Sequence, residues 1–191
     1  GGTFDNRQGP DTNNTGGVVI IGKAPGMEDQ IQERVFAGEA GELLREVLDT
    51  CDIDVTNWYL TNIVRFTPPH KAKRLKASWI KECAPLLDLE LEMLQPKFIL
   101  LLGSDAIKAV FGRNTSLKKL RGAEGLTYRG AKVMVTTNPA AVLKSPEQDP
   151  GFRRDVRAFV DMVKGVQHTK SKHDYVDITS CEQLWKVIEA I

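Results

Sequence analysis

The sequence has few cysteines and no long hydrophobic run. Its three cysteines stand at positions 51, 83 and 181, and no two of them are in CxxC spacing. Their number and scatter argue against a disulfide framework and favour reduced thiols in an intracellular protein. We see no apolar stretch of about 20 residues, the length that spans a bilayer, and no secretory signal peptide. The chain is therefore predicted to be cytoplasmic, without a membrane partner.

The sequence also lacks an excess of charge of either sign. Lysine and arginine together number 26, aspartate and glutamate number 25, and the net charge is +1. The chain as a whole is therefore not drawn to nucleic acid, and any DNA contact must rest on local basic clusters. Its 191 residues, of which 41% are hydrophobic, allow one globular domain with an appendage.

Short apolar runs alternate with amphipathic segments along most of the chain. Strands are predicted over residues 18–21, 58–64, 98–102 and 132–136. Helices are predicted over residues 39–51, 76–94 and 105–111, and apolar residues between positions 152 and 163 mark a last one. Pro85 should kink or restart the second helix, and Ser104 should cap the third. The alternation predicts an α/β fold, a three-layer sandwich whose central sheet has four parallel strands.

Both ends of the chain differ in composition from this middle part. Residues 1–17 are rich in Gly, Asn, Asp and Thr and are predicted to be a flexible lead-in to a domain over residues 18–164. Residues 165–174 are polar and are predicted to be a linker. Residues 175–191 show a strand pattern followed by a helix with an apolar stripe. This pair either packs back on the main domain or begins another one.

Two loops follow predicted strands at the position where open α/β sheets bind ligands. The loop GKAPG follows the first strand, and Asn138-Pro139-Ala140 follows the last. The first loop fits neither the P-loop nor the dinucleotide-binding pattern. Its glycines let backbone N–H groups approach a ligand closely, although an ordinary strand-to-loop turn has the same composition. The candidate binding residues of this loop are Gly22, Lys23, Ala24, Pro25 and Gly26.

Further motifs lie between and beside these loops in a fixed order. They are RVFAG at 34–38, TNIVR at 61–65, ECAPLL at 82–87, QPK at 95–97, LGSDA at 102–106 and NPAAVL at 138–143. The series is similar to the iron–sulfur, thermostable branch of the uracil-DNA glycosylases, whose members read GExPG, RPFVG, TNxVKCRPP, CxPFL, PKxIxxLG and HPS. The resemblance covers residues 18–164. It implies a four-stranded parallel sheet between helices, with a base pocket at the carboxyl ends of the strands.

The resemblance implies roles for two residues of the expected pocket. Phe36 matches the aromatic residue that stacks on a base after it leaves the duplex, and such a base needs a flat apolar partner. Asn62 matches the asparagine that reads the edge of uracil, where an amide can both donate and accept hydrogen bonds. The alternatives are a buried loop phenylalanine and an asparagine that caps local backbone.

Two residues depart from the resembled pattern at its catalytic positions. Lys23 replaces a glutamate that stabilises the positive charge growing on the sugar, and Asn138 replaces a histidine that donates to the leaving base. A lysine has the wrong sign for an oxocarbenium-like transition state, and an asparagine is a weaker, neutral donor. Lys23 could instead contact phosphate, lie exposed at the surface, or attack an abasic sugar as an unprotonated amine. Efficient uracil excision is therefore not expected.

The metal site of the resembled branch also differs here. An iron–sulfur cluster needs four cysteine thiolates. Cys83 matches one of them, Phe66 stands where another would be, and no cysteine precedes Cys51. We therefore predict no cluster, no other metal site, and a buried structural role for Cys83.

Candidate DNA contacts lie in the last loop and in two basic segments. Leu143 matches an apolar wedge that enters the duplex, and Lys144 beside it could contact phosphate. The basic candidates are Lys71, Lys73, Arg74, Lys118, Lys119 and Arg121. Ordinary loop packing and solvated surface charge are the alternatives for all of them.

The last residues carry a separate resemblance. Residues 174–191 are similar to the strand–helix lead-in of the proofreading exonuclease domain of bacterial and phage family A DNA polymerases. The expected function is thus a DNA-binding, glycosylase-like module defective in base excision, at the amino-terminal end of a phage-type polymerase in a bacterial or phage-infected cell. Its partners would be DNA and replication proteins or the rest of that polymerase. The alternatives are an active glycosylase for uracil or a modified pyrimidine, and a protein-interaction domain without DNA binding.

Overall fold

The computed structural model describes residues 17–69 and 74–165 of the chain. The strands are β1 (Val18–Gly22), β2 (Tyr59–Asn62), β3 (Phe98–Leu102), β4 (Thr127–Tyr128) and β5 (Ala131–Thr136). The α-helices are α1 (Met27–Ile31), α2 (Glu39–Asp49), α3 (Ala77–Leu94), α4 (Gly103–Phe111), α5 (Leu117–Leu120), α6 (Pro139–Val142) and α7 (Asp149–Lys164), and a 3₁₀ turn covers Pro146–Gln148. The predicted lead-in, linker and carboxyl-terminal strand–helix pair lie almost wholly outside the described residues.

The strands form one sheet in the order β2-β1-β3-β5-β4. The first four are parallel, as predicted, but β4 runs antiparallel to β5 at the edge. The predicted count of four strands is therefore wrong by one. Only Arg129 and Gly130 connect β4 to β5, and both have positive φ, at 50° and 85°. This is the geometry of a tight hairpin turn, and a two-residue strand is too short for its pattern to be recognised.

Alternate residues of the sheet pack against two separate helix layers. Val19 and Ile21 of β1 face a core formed with α3, α4 and α5. Val18 and Ile20 face the opposite core, formed with α2, α6 and α7. The strands are buried on both faces, which explains their nearly continuous apolar sequences. The predicted three-layer α/β sandwich is confirmed.

Several predicted boundaries differ from the structure. The second strand is shorter than predicted, and α3 runs without interruption through Pro85, so the helix does not restart there. Helix α4 begins at Gly103, and no side chain caps it, so the capping role predicted for Ser104 is wrong. Gly103 has a φ of +87°, which lets the chain turn from β3 directly into the helix.

A buried ion pair fixes the end of β2 against α3. Arg65 and Glu90 are about nine-tenths buried, and Arg65 Nη2 lies 2.5 Å from Glu90 Oε2. The hydroxyl of Thr61 donates to the same carboxylate at 3.1 Å and accepts from Arg65 Nη1. Since Thr61 precedes Asn62 in β2, this network supports the strand end that carries the predicted base-reading residue.

We expect Glu90→Gln to lower the free energy of unfolding by about 3 kcal/mol, because it leaves the Arg65 guanidinium buried without a counter-ion. Urea denaturation of the full chain measures this loss. The matched control is Asp88→Asn, which breaks the exposed Arg129–Asp88 pair and should cost less than about 1 kcal/mol. Equal losses in the two variants would show that the buried network does not stabilise this end of the sheet.

Candidate functional site

A cleft of about 1060 Å³ opens at the carboxyl ends of the parallel strands. Its walls come from the loops after β1, β3 and β5, from the end of β2, and from the segment between α1 and α2. The predicted site residues that line it are Lys23, Ala24, Gly26, Phe36, Asn62, Asn138, Leu143 and Lys144. Arg74, Lys118, Lys119 and Arg121 are not among its lining residues, and Lys71 and Lys73 lie outside the described residues. The structure thus brings together both loops that the sequence singled out.

The side chains of Phe36 and Asn62 both pack closely against the backbone of Gly22. A Cβ atom added to Gly22 would lie 2.5 Å from Asn62 Oδ1 and 2.7 Å from Phe36 Cζ. Both distances are too short for real atoms, so only glycine fits between strand β1 and these two side chains. The close approach, rather than an unusual φ, explains the glycine. Pro25 of the same loop is buried.

The amide of Asn62 is buried with its donor group unpaired. The residue is 2% exposed, and in the described part of the chain its Nδ2 has no hydrogen-bond partner. A buried donor without an acceptor costs about 1–3 kcal/mol. A ligand that places an oxygen acceptor here would recover this cost.

Phe36 is held in a strained backbone conformation by α2. Its φ is +53°, which is unusual for a residue with a side chain. Arg45 donates to the carbonyls of Phe36 and Val35, and burial lowers the pKa of its guanidinium. A Cβ atom on Gly41 would come within 1.7 Å of the Phe36 carbonyl oxygen, so α2 can approach this closely only at a glycine. The ring is half-buried and lines the cleft.

Asp29 joins the GKAPG loop to the Phe36 loop, and the sequence reasoning missed it. Its Oδ1 accepts from the backbone N–H of Ala37 at 2.6 Å, and its Oδ2 accepts from that of Gly26 at 3.1 Å. The carboxylate is 7% exposed. The available signal was its position three residues after Gly26, where a carboxylate commonly caps the start of a helix.

Lys23 forms an ion pair across the cleft with Asp105. Lys23 Nζ lies 3.1 Å from Asp105 Oδ2, and the two side chains are 37% and 40% exposed. Asp105 belongs to the first turn of α4. The sequence reasoning did not identify Asp105, because nothing in the sequence shows that α4 faces the end of β1. The cation at this predicted catalytic position is therefore neutralised by a carboxylate of another element.

Asn138 caps the short helix α6. Its Oδ1 accepts from the backbone N–H of Ala140 at 2.9 Å, while its Nδ2 lies 3.5 Å from the carbonyl oxygen of Leu102. Its Cβ packs against Gly103, where an added Cβ would be only 2.7 Å away. Leu143 follows this helix, lines the cleft and is 45% exposed.

Arg121 supports the end of β5. Its guanidinium donates to Asp155 at 2.7 Å and to Thr137 at 2.6 Å, and Thr136 donates to the same carboxylate at 2.9 Å. These bonds fix the strand end immediately before Asn138. The DNA contact proposed for Arg121 stays a prediction, and so do those of exposed Lys118 and Lys119 on α5.

The donor set for an iron–sulfur cluster is not met by the described residues. Cys83 is buried in the core beneath α3, whereas Cys51 packs on the opposite side of the sheet. The Phe66 ring stacks edge-on against Trp79 with centroids 5.6 Å apart. Residues 17–69 and 74–165 hold no group of three His, Cys, Asp or Glu side chains suited to a metal ion. In the same ranges no helix is long and apolar enough to cross a bilayer.

Comparisons with known proteins agree with the fold and the cleft. The sequence profile described as the uracil DNA glycosylase superfamily matches residues 10–164. The chain is 32% identical over 152 residues to a Type-4 uracil-DNA glycosylase of Pyrobaculum aerophilum, covering 75% of this chain and 76% of that protein. It is 30% identical over 148 residues to the Type-4 uracil-DNA glycosylase of Thermotoga maritima, covering 77% and 76%.

A relative of another kind is the DNA polymerase of Bacillus phage SP01. The chain is 27% identical to it over 150 residues, which is 78% of this chain but only 16% of that polymerase. The alignment length corresponds to one module of a much longer protein. The ordered motifs, the layered sheet and the match over residues 10–164 show that this chain belongs to the uracil DNA glycosylase superfamily.

Proposed function

We propose that this domain binds DNA, accepts an extruded pyrimidine in its cleft, and excises that base poorly or not at all. The observation that carries the proposal is the unpaired, buried Nδ2 of Asn62 beside the ring of Phe36. An apolar ring next to an amide that both donates and accepts matches the face and the edge of a pyrimidine. The network of Thr61, Arg65 and Glu90 supports the strand end from which that amide projects.

The rim of the cleft is suited to opening a duplex. Leu143 is exposed at the end of α6, while Val142 beside it is only 3% exposed and anchors the helix in the core. An apolar side chain at the end of a helix that is fixed in the core can enter the base stack without movement of a flexible loop. Lys144 lines the cleft next to the wedge, where a phosphate would pass.

The charges in the cleft argue against efficient excision. Breaking the bond between base and sugar builds positive charge on the sugar, and a nearby anion stabilises it. The residue at the end of β1 is instead Lys23, whose cation and the carboxylate of Asp105 cancel each other. Asn138 is a neutral donor whose Oδ1 is already used in capping α6. Losing one catalytic group of this kind typically costs about two to four powers of ten in rate.

A second candidate function, active excision of uracil or a modified pyrimidine, is favoured by two observations. Asp105 does place a carboxylate in the cleft, although it is paired with Lys23. Relatives that align over three-quarters of this chain are named uracil-DNA glycosylases. If Lys23 moved away when DNA binds, Asp105 would be the nearest carboxylate to orient water toward the sugar.

We further propose that this module is the amino-terminal part of a phage-type DNA polymerase that acts in replication. The alignment with a phage DNA polymerase supports this context, and the domain division of the sequence fits it. Residues 18–164 would form the module, residues 165–174 a linker, and residues 175–191 the first strand and helix of a proofreading exonuclease domain. An Asp-x-Glu motif in the reading frame soon after residue 191 would support this arrangement, and its absence would contradict it.

Excision is tested directly with a duplex that contains one uracil. After incubation with the full chain and heating in alkali, we expect strand scission at least about a hundredfold slower than with an active Type-4 enzyme. DNA binding by the same preparation shows that the protein is folded. Scission at a comparable rate that disappears in Asn138→Ala would establish the second candidate function.

Base capture is tested by the preference for a U·G mismatch over a fully paired duplex, because a mismatched base costs less to extrude. We expect Asn62→Ala to reduce this preference about tenfold while weak general binding remains. Fluorescence anisotropy with labelled duplexes measures both affinities. The control is Lys81→Ala, an exposed residue of α3 outside the cleft, which should keep the preference. An unchanged preference in Asn62→Ala would refute base reading by this residue.

A further inference from the structure

We infer that Asp105 regulates DNA binding by holding Lys23 in an ion pair that a DNA phosphate must replace. This inference rests on the proposed DNA binding and adds a control element to the same cleft. Lys23 leaves the end of β1 and Asp105 leaves the first turn of α4, so the pair bridges two walls of the cleft. Lys23 therefore cannot bind a phosphate at that point without its ion pair with Asp105 being affected.

The Lys23–Asp105 ion pair is exposed enough for Lys23 to leave Asp105 for another anion. Water reaches both side chains, which are 37% and 40% exposed. Ion pairs at such sites contribute little to stability, because solvent screens the attraction and both side chains lose freedom. A lysine has a long flexible stem, so its ammonium group can move from one anion to another nearby. A phosphate at the cleft therefore competes for Lys23 without having to break a strong contact.

Asp105 keeps a favourable environment after Lys23 has moved. It lies in the first turn of α4, a helix of nine residues, where the helix dipole stabilises a negative charge. The carboxylate is thus not left without compensation when its partner turns to DNA. Moving Lys23 from Asp105 to a phosphate therefore costs the protein little free energy. Lys23 pairs with Asp105 when no phosphate is present and with the phosphate when one is.

The other charges of the cleft determine how strongly the exchange affects DNA affinity. Its lining includes five carboxylates and only two lysines. Asp29 is engaged with backbone N–H groups, but the exposed carboxylates repel a DNA backbone. With Lys23 paired, Lys144 is the lysine left to attract a phosphate among the described lining residues. Asp105 therefore lowers the affinity for DNA, because it both repels phosphate and neutralises the cation that would bind it.

The test compares the affinity of full-chain variants for a fluorescein-labelled duplex with one U·G mismatch, by anisotropy between 50 and 200 mM KCl. We expect Asp105→Asn to bind about five- to tenfold more tightly at the lowest salt. We also expect the dependence of log affinity on log salt to steepen, by at most about 0.7–0.9, since Asp105 keeps Lys23 from the phosphate in part of the complexes of the original chain and in none of those of the variant.

The matched control is Glu39→Gln, which removes an exposed cleft carboxylate from the first turn of α2. It also takes one negative charge from a helix start, but it releases no lysine. We expect a smaller gain in affinity and an unchanged salt slope. Adding Lys23→Gln to Asp105→Asn should return the slope to that of the original chain.

Each outcome bears on the inference. A steeper slope in Asp105→Asn that Lys23→Gln reverses supports it. Where the original chain binds too weakly to measure, salt-dependent binding by Asp105→Asn that Lys23→Gln abolishes supports it equally. If the original chain binds and Asp105→Asn behaves like Glu39→Gln, the exchange is refuted while the proposed DNA binding stands. If no variant shows salt-dependent binding, both the inference and the proposed function are overturned.

Discussion

The site depends on the carboxylate of Asp29, which binds two loops at once. Its oxygens accept from Gly26 on one side and Ala37 on the other, so the GKAPG loop and the Phe36 loop are held at a fixed separation. Phe36 occupies a strained conformation that persists only when its surroundings enforce it. The hydrogen bond from Arg45 to the Phe36 carbonyl and the close packing of Gly41 against it also hold this conformation. Without these contacts the ring would not lie over Gly22.

The sequence predicts the parts of this protein that local pattern determines. Four buried runs indicated parallel strands, and the loops at their ends indicated the cleft, because parallel strands end at one edge of the sheet. The pattern could not show β4, whose two residues pair only because Arg129 and Gly130 turn the chain. It also could not show that Asp105 meets Lys23, since that contact joins distant elements. The sequence offered backbone capping as the alternative for Asn62, whereas the asparagine that caps a helix in the structure is Asn138, for which capping was not predicted.

Membership of a family and retention of its chemistry are separate properties in this chain. The sheet, the cleft and the Phe36–Asn62 pair follow the family pattern, and the motif order extends over residues 10–164. The charge at the end of β1 does not follow it, and Phe66 packs on Trp79 where the resembled pattern has a cysteine. The apolar core and the amide at position 62 thus match the pattern, while the residues at positions 23 and 66 differ from it. A scaffold of this kind can keep recognition after its reaction has weakened.

Because Gly22 has no side chain, the sheet and the two side chains that pack on it can be disturbed independently of each other. Strand β1 pairs with both neighbours through its backbone, and this pairing does not depend on what projects from position 22. The side chains of Phe36 and Asn62 occupy the space next to Gly22 where a Cβ atom would lie. One methyl group at this position would collide with both side chains, while the surrounding strands kept their register. The smallest side chain here would therefore disturb the two candidate base-binding residues and leave the sheet intact.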